Sequence, residues 1–335
     1  MAWDWDKSPV EVLSARRAQI CLNGMWQFKP ALATDKPPTE GWGCILVPGP
    51  WVWHGYPPVS GAILAKGAGY SWRFDDFAKL GRAWYQRQIH IPADWKGRAL
   101  ILELNRVSTD ARVLVNGKDV GTVAWPSGTV DITSAAAPGT VATLAILVAV
   151  AATEKEAAEL LGPAPIDPWT RGANLESRGL TGDVILTSRP AGAHIADVFV
   201  QPSTRRKELA LDVTLSGLIE PGVVRFKANL LNEKGMVEKN FEQEVRVDPA
   251  AGAPLRLTWS WPDPRLWDVK QPNLYTLRLS ATGAGLDDEY AQVFGFREFW
   301  LEGRRAFLNG TEIRLCSSIP AAASVTSTPA TPTST

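Results

Sequence analysis

The chain has 335 residues, of which 45% are hydrophobic, and its 35 basic side chains match its 35 acidic ones in number. This balance, without a basic stripe along the sequence, excludes nucleic acid and an anionic membrane surface as expected partners. The length predicts about two domains, each large enough to bury a core.

The N-terminal residues and the cysteines give no sign of export or of bound metal. Residues 1–18 lack the apolar stretch of a signal peptide, and the longest apolar run, residues 141–152, is too short to span a membrane. Cys21, Cys44 and Cys316 have no metal-ligand spacing and are too few for a disulfide framework. We therefore predict no cofactor and no metal site, and a cytoplasmic location by default; export after loss of a leader remains an alternative.

Alternation of apolar and polar residues predicts a first block of β-strands. The predicted strands are residues 83–91, 98–104, 111–115, 120–124, 140–150 and 183–187. Asn116-Gly117 predicts a tight hairpin turn, because both residues tolerate a positive φ. Residues 140–150 form a run rich in β-branched residues, which predicts a central strand buried on both faces.

One helix and one long loop interrupt this block. Residues 154–161 (EKEAAELL) are predicted to be helical, and three prolines between positions 163 and 168 end the helix. The following loop runs to about residue 177 and carries Trp169, Asn174 and Glu176. Long loops in compact domains are often functional, so this loop is a candidate for binding.

A second block of seven short strands is predicted after residue 190, at residues 194–200, 209–215, 223–231, 237–247, 255–261, 273–281 and 289–294. Seven such strands in about 100 residues are typical of an immunoglobulin-like sandwich. Residues 299–315 contain two further tight turns, and residues 316–335 have the composition of a disordered tail. The predicted fold class is therefore all-β.

A self-contained active site is not evident in the sequence. None of the metalloprotease, serine-hydrolase, phosphate-loop or paired-cysteine motifs occurs. His90 and His194 fall within predicted strands, where a structural role is expected, whereas His54 lies in a predicted loop. Most of the fifteen tryptophans are expected in cores. Trp51, Trp53 and Trp169 are predicted to lie in loops, where an aromatic ring can stack on a sugar.

Four segments, in order over about 290 residues, resemble the pattern of glycoside hydrolase family 2, which includes β-galactosidases, β-glucuronidases and β-mannosidases. They are LNGMWQF at 22–28; VPGPW at 47–51 with HGY at 54–56; WY at 84–85 with VLVNGKDVG at 113–121; and LW at 266–267 with QPNLY at 271–275, FGFR at 294–297 and FLNG at 307–310. Each segment is also a structural element, so the resemblance bears on architecture more strongly than on activity.

The resemblance implies a jelly-roll, sugar-binding-like domain, then an immunoglobulin-like domain, then a (β/α)₈ barrel that holds both catalytic glutamates of a retaining mechanism. The predicted boundaries are 1–190 for the jelly roll, 191–298 for the immunoglobulin-like sandwich, 299–315 for hairpins leading toward the barrel and 316–335 for the tail. No residue here matches the motifs of those glutamates, so we assign no catalytic residue and expect the barrel to be missing from this chain.

In that family, loops of the first domain touch the sugar. The resemblance therefore implies substrate-binding roles for His54 and Tyr56 in one loop and for Asn174 and Glu176 in the other, to which the aromatic Trp169 is added. A plain capping role for these loops is the alternative. Arg297 of the FGFR segment is expected to be a buried ion-pairing or hydrogen-bonding residue at a domain junction.

The leading hypothesis is a non-catalytic front portion of a family 2 glycosidase, with a β-glycoside as partner and with self-association through the surface that would face the barrel. A stand-alone carbohydrate-binding module and a purely structural or interaction protein are the alternatives. A fragment, a frameshift product and a natural barrel-less relative all remain open as explanations.

Overall fold

The computed structural model describes residues 8–31, 36–51, 82–149 and 178–315. Within these ranges, strands paired in antiparallel fashion make up two β-sandwiches and a small hairpin sheet, with two single-turn 3-10 helices at Ala93–Trp95 and Pro249–Ala251. The predicted all-β class is confirmed. No helix among these residues has the length and apolar character needed to cross a membrane.

Thirteen strands of the first sandwich lie among the described residues. They are β1 (Val10–Val12), β2 (Ala18–Cys21), β3 (Gly24–Pro30), β4 (Gly43–Val47), β5 (Arg82–His90), β6 (Arg98–Leu104), β7 (Val107–Ser108), β8 (Asp110–Val115), β9 (Lys118–Ala124), β10 (Gly128–Asp131), β11 (Val141–Ala149), β12 (Gly179–Leu180) and β13 (Val184–Pro190). A five-stranded sheet of order β1-β2-β13-β6-β10 faces a six-stranded sheet of order β4-β3-β5-β11-β8-β9, and β12 pairs with β7. This double-sheet architecture agrees with the predicted jelly roll.

Strand β11 is the central element of the six-stranded sheet. Leu144, Ile146 and Val148 point into the core between the two sheets, while Ala145 and Leu147 pack on the opposite face against Trp84 and Leu114. The prediction of a strand buried on both faces is confirmed over most of its length. Asn116 and Gly117 have φ angles of 52° and 78° and join β8 to β9 in the predicted hairpin.

The second sandwich has the seven strands that the sequence predicted. They are β14 (His194–Ser203), β15 (Glu208–Ser216), β16 (Gly222–Leu231), β17 (Val237–Val247), β18 (Leu255–Ser260), β19 (Tyr275–Gly283) and β20 (Leu286–Phe294). A three-stranded sheet of order β14-β15-β18 packs on a four-stranded sheet of order β17-β16-β19-β20. Phe226, Trp261, Tyr275 and Phe296 fill the core between them. This arrangement confirms the immunoglobulin-like sandwich.

A three-stranded hairpin sheet follows, formed by β21 (Phe299–Glu302), β22 (Arg305–Leu308) and β23 (Thr311–Ile313). The two predicted tight turns join these strands, and Asn309 and Gly310 have φ angles of 52° and 89°. On one face, the rings of Trp300 and Phe307 stack with their centroids 5.6 Å apart. The predicted helix at 154–161 and the predicted tail at 316–335 lie outside the described residues.

Candidate functional site

The part of the molecule that bears on the predicted sugar site is one end of the first sandwich. The Trp51 N–H donates to the carbonyl oxygen of Arg178 at 2.8 Å, and the Gly49 N–H donates to that of Leu180 at 2.9 Å. On the neighbouring strands, Arg82 pairs with Ala149. The residues that flank range 52–81, Trp51 and Arg82, therefore lie next to the residues that flank range 150–177, Arg178 and Ala149.

Aromatic side chains close this end of the core. The Trp51 indole N–H donates to the Tyr85 hydroxyl at 2.5 Å, and Phe28 meets both rings edge-on, with centroids 5.2 Å from Tyr85 and 6.2 Å from Trp51. Burial raises the pKa of the Tyr85 hydroxyl, against the opposing effects of its bonds to Trp51 and to the backbone of Leu180. Trp51 lies in a loop as predicted, but its ring is part of the core and is not available to stack on a ligand.

A buried polar cluster lies beside these rings. Ser108, Thr109 and Asp110 are almost fully buried. The Thr109 hydroxyl donates to the Asp110 carboxylate at 2.7 Å, and the Thr109 N–H donates to the carbonyl oxygen of Ala149 at 3.1 Å. Gly179 is the register partner of Ser108. These polar groups therefore brace the backbone on both sides of residues 150–177.

The five sequence-predicted substrate-binding residues, His54, Tyr56, Trp169, Asn174 and Glu176, all lie outside the described residues, and so does Trp53. Their predicted roles remain predictions.

The two described histidines, His90 and His194, lie in different surroundings. His90 ends β5 with its side chain exposed. His194 is buried and contacts the Arg189 guanidinium and, at 2.7 Å, the carbonyl oxygen of Gly192. Burial lowers the pKa of His194, and the nearby positive charge of Arg189 acts in the same direction. The structural role predicted for His194 agrees with these contacts.

The motif residues of the second sandwich contact one another and have structural roles. Arg297 lies with its guanidinium 4.3 Å from the Trp267 ring centroid, and a β-carbon built on Gly295 would lie 2.8 Å from the same Trp267 side chain. The Asn309 side chain donates to the carbonyl oxygen of Trp267 at 2.8 Å and accepts from the Glu298 N–H at 3.0 Å. The prediction that Arg297 is buried is wrong: its side chain is exposed and stacks on Trp267, because a guanidinium can cover an aromatic face while its polar edge stays in water.

Three of the cavities that described residues line each have a single carboxylate in their lining. One of about 630 Å³ lies between β15 and the β17–β18 connection and holds Asp248; one of about 300 Å³ beside Trp261 holds Asp263. The third, of about 800 Å³, lies on the outer face of the six-stranded sheet and holds Asp119. In the described ranges, no group of three or more His, Cys, Asp or Glu side chains is placed to hold a metal ion.

The residues around the third cavity were not singled out from the sequence. Gln86, Arg112, Asp119 and Thr143 are the polar members of alternating strands, a pattern that sequence analysis assigns to a solvated face. Only the strand register, which a single sequence does not fix, brings them together.

Comparison with known proteins places these features in a family context. Residues 193–297 match the family model of glycosyl hydrolases family 2. The chain is 26% identical over 247 residues to a β-galactosidase of Thermoanaerobacterium thermosulfurigenes, covering 72% of this chain and 33% of that protein. It is 24% identical over 303 residues to a β-glucuronidase of Paenibacillus borealis, covering 86% of this chain and 47% of the relative.

Solved structures give the same result at the level of fold. A β-D-glucuronidase of Dictyoglomus thermophilum matches with a TM-score of 0.62 at 17% identity, covering 90% of this chain and 47% of that one. A Bifidobacterium dentium β-glucuronidase complexed with coumarin-3-O-glucuronide matches with a TM-score of 0.64 at 20% identity, covering 90% and 51%. The resemblance to family 2 is therefore confirmed, and the chain spans between 33% and 51% of the length of these relatives.

Proposed function

We propose that this chain forms the non-catalytic β-sandwich portion of a family 2 β-glycosidase and does not hydrolyse glycosides by itself. The family match, the shared fold and the partial coverage of glycosidase relatives support this proposal. The proposed domain boundaries are 1–190, 191–298 and 299–315. They agree with the two hydrophobic cores, the first of which ends at Leu186 and the second of which begins at Ile195.

One observation carries the proposed lack of activity. Retaining hydrolysis needs two carboxyl groups about 5 to 5.5 Å apart, one as acid/base and one as nucleophile. Each of the three described cavities offers one carboxylate, from Asp248, Asp263 or Asp119. A lone carboxylate cannot perform both steps of a double displacement.

We further propose that the two ranges 52–81 and 150–177 contribute sugar contacts to a single site, through His54, Tyr56, Trp169, Asn174 and Glu176. The adjacency of their described ends supports this idea, since Trp51 bonds to Arg178 and Arg82 pairs with Ala149. The substrate of the whole enzyme is then a β-glycoside, as the names of the relatives suggest.

The experiment is an assay of the purified chain with p-nitrophenyl β-galactoside, β-glucuronide and β-mannoside. We expect no turnover above buffer. Turnover that co-elutes with the chain through two chromatographic steps would contradict the proposal. A matched assay follows any longer polypeptide encoded by the same locus, for which we expect hydrolysis of at least one of the three substrates.

A further inference from the structure

The connection between the two sandwiches is only three residues long. Strand β13 ends at Pro190 and β14 begins at His194, so residues 191–193 are the whole linker. The carbonyl oxygen of Gly192 in this linker has close neighbours on two sides. The His194 ring nitrogen Nδ1 lies 2.7 Å from this oxygen, and a β-carbon built on Gly217 of the second sandwich would also lie 2.7 Å from it. The backbone of the linker is therefore closely packed at Gly192.

The contacts of the His194 ring fix the position of its proton. A carbonyl oxygen can only accept a hydrogen bond, so Nδ1 carries the proton and donates it to Gly192. The other ring nitrogen, Nε2, contacts the Arg189 guanidinium, which has donors and no acceptor. Nε2 is therefore unprotonated, and the structure holds the neutral form of His194.

The surroundings of this ring are rich in charge. The charged and titratable side chains near the junction include Arg16 and Arg17 before β2, Arg98 of β6, Asp131 of β10, Arg189 of β13, and Asp287, Asp288 and Tyr290 of β20. Burial lowers the pKa of His194, and Arg189 and Arg17 act in the same direction, against the opposing effects of Asp288 and of the bond to the linker. The Arg17 guanidinium donates to both oxygens of Asp288, at 2.9 and 2.6 Å. The ring thus lies beside two cations and one anion that is already paired.

Protonation of the ring would disrupt these contacts. A proton on Nε2 would face the Arg189 guanidinium and find no acceptor there. The added positive charge would also repel Arg189 and Arg17. Asp288 offsets little of this repulsion, because both of its oxygens already accept from Arg17. We therefore expect the protonated ring to turn toward water and to release the linker carbonyl.

The linker is coupled to the ion pair of Arg17 and Asp288, which joins the two sandwiches. Ile195, the residue after His194, donates its N–H to Asp288 at 2.9 Å, and its carbonyl oxygen accepts from Arg17. A shift of His194 therefore reaches both partners of the pair. We propose that His194 is a pH-sensitive latch: its neutral form holds residues 191–193 in place, and its protonation loosens the junction between the two sandwiches. This inference does not rest on the proposed function.

The test is residue-resolved amide hydrogen exchange of the Ile195 N–H, which is released when the junction opens. The ordinary pKa of histidine is 6.5, and the closed junction lowers it. The opened junction therefore binds the proton first, so the opening constant should be level above about pH 6.5 and should rise as the pH falls below it. For one proton the rise is at most about tenfold per pH unit, after correction for the pH dependence of intrinsic exchange.

The main variant is His194→Gln, because a glutamine amide can still donate to Gly192 but takes up no proton in this range. It should lose the rise that the parent shows between about pH 7.5 and about pH 5. The matched control is His90→Gln, which removes an exposed histidine at the end of β5 and should behave as the parent. His54 is present in all of these proteins, so its titration cancels in the comparison.

Arg189→Gln gives a second test, which serves even where His194→Gln does not fold. It removes one of the cations that oppose protonation, so its rise should be smaller than that of the parent. The proposal is overturned if the parent and His194→Gln show the same rise, or if Arg189→Gln leaves the rise undiminished. It is also overturned if the Ile195 N–H is as well protected as that of Leu277 in β19, because the junction would then open only when the whole second sandwich unfolds. The hydrolysis assay above measures a separate property, so failure of either proposal can be recognised separately.

Discussion

Gly179 occupies a tightly enclosed position where three motif segments meet. Its φ is +120°, and a β-carbon built there would lie 2.9 Å from the Tyr85 hydroxyl and 3.0 Å from the Trp51 indole. Both aromatic groups are held by their mutual hydrogen bond and by Phe28, so neither can move aside cheaply. The glycine is therefore needed both for its backbone conformation and for its lack of a side chain.

We expect Gly179→Ala to lower the free energy of unfolding by about 2 kcal/mol or more, because strain and overpacking add. Urea denaturation measures the change. The control is Gly97→Ala, where φ is +79° but no atom lies within 4 Å of the built β-carbon. The control should lose only about 1 kcal/mol from backbone strain. Equal losses in both variants would show that the close approach at Gly179 is not costly.

For single residues, the sequence predicted a structural role correctly where the residue lies within a strand of alternating apolar and polar positions. His194 was expected to be structural, and its contacts with Arg189 and Gly192 bear this out. Arg297 was expected to be buried and is exposed, because sequence does not tell whether a guanidinium stacks on an aromatic ring or enters a core. Gln86 and Thr143, which line the third cavity, were not singled out from the sequence, since each alone is an ordinary polar strand residue.

Among the elements, one carboxylate contributes several of the hydrogen bonds that attach the hairpin sheet β21–β23 to the second sandwich. Glu298 accepts from the Ser203 and Thr204 hydroxyls at 3.1 Å each and from the Arg205 guanidinium at 2.6 Å. Burial acts to raise its pKa, but these bonds outweigh burial and lower the pKa of Glu298 to about 2. Arg205 also stacks on Trp300, with 4.5 Å between its guanidinium and the ring centroid.

This arrangement predicts a pH-dependent attachment. A carboxylate whose pKa is lowered by folding contributes stability that is fully present above its ordinary pKa of 4.5 and is lost as the pH falls toward about 2. Glu298→Gln should lower the free energy of unfolding by about 1–3 kcal/mol near neutral pH and by much less in acid.

Urea midpoints measured across this acid range test the expectation. Glu302→Gln, which removes an exposed carboxylate from the end of β21, controls for the loss of one negative charge. A stability difference between Glu298→Gln and the parent that stays constant from neutral pH into acid would contradict the assignment.

Most of the longer strands were predicted, whereas β3 (Gly24–Pro30) and several short strands were not. Strand β6 was predicted at 98–104 and has these bounds, and all seven strands of the second sandwich were found. In contrast, β1 and β10 were missed because three or four residues cannot display a period; all three residues of β1 are exposed. Such strands exist because a neighbouring strand offers its hydrogen bonds, which is a property of the tertiary structure.

For the whole molecule, a buried ion pair joins the two sandwiches. The Arg17 guanidinium donates to both oxygens of Asp288, at 2.9 and 2.6 Å, and also to the carbonyl oxygen of Ile195. The Ile195 N–H donates to Asp288 in return. Burial acts to raise the pKa of Asp288, but Arg17 and the backbone N–H groups of Ile195 and Glu289 together lower it.

The adjacent exposed pair, Arg16 and Asp287, supplies a matched comparison. Asp288→Asn should lower the free energy of unfolding by about 3–5 kcal/mol, because it leaves a buried guanidinium without its counter-charge. Asp287→Asn should change it by less than about 1 kcal/mol. Thermal unfolding measures both, and small-angle scattering should show a longer molecule for Asp288→Asn if the sandwiches separate. Similar effects of the two variants would exclude a special role for burial.

Self-association is expected through the exposed side of β21. Phe299 and Leu301 alternate with Trp300 on this strand and are 50% and 66% exposed. In sedimentation velocity, we expect the parent chain to form oligomers that dissociate on dilution. These oligomers should be lost in the double variant Phe299→Ser, Leu301→Ser. Ile219→Ser, which removes a 90% exposed apolar side chain elsewhere, is the control and should leave the oligomers unchanged. A parent chain that is monomeric at all concentrations would contradict the expectation.

The braced polar cluster at the end of the first sandwich has one more consequence. Thr109 binds the backbone of Ala149, and its neighbour Ser108 pairs with Gly179, so the sequence between positions 149 and 179 starts and finishes beside the same two residues. Ser108 and Thr109 therefore hold the two described ends of this range side by side. Because the ends already adjoin, we expect a foreign peptide inserted between them to be closed into a loop at a low cost in chain entropy.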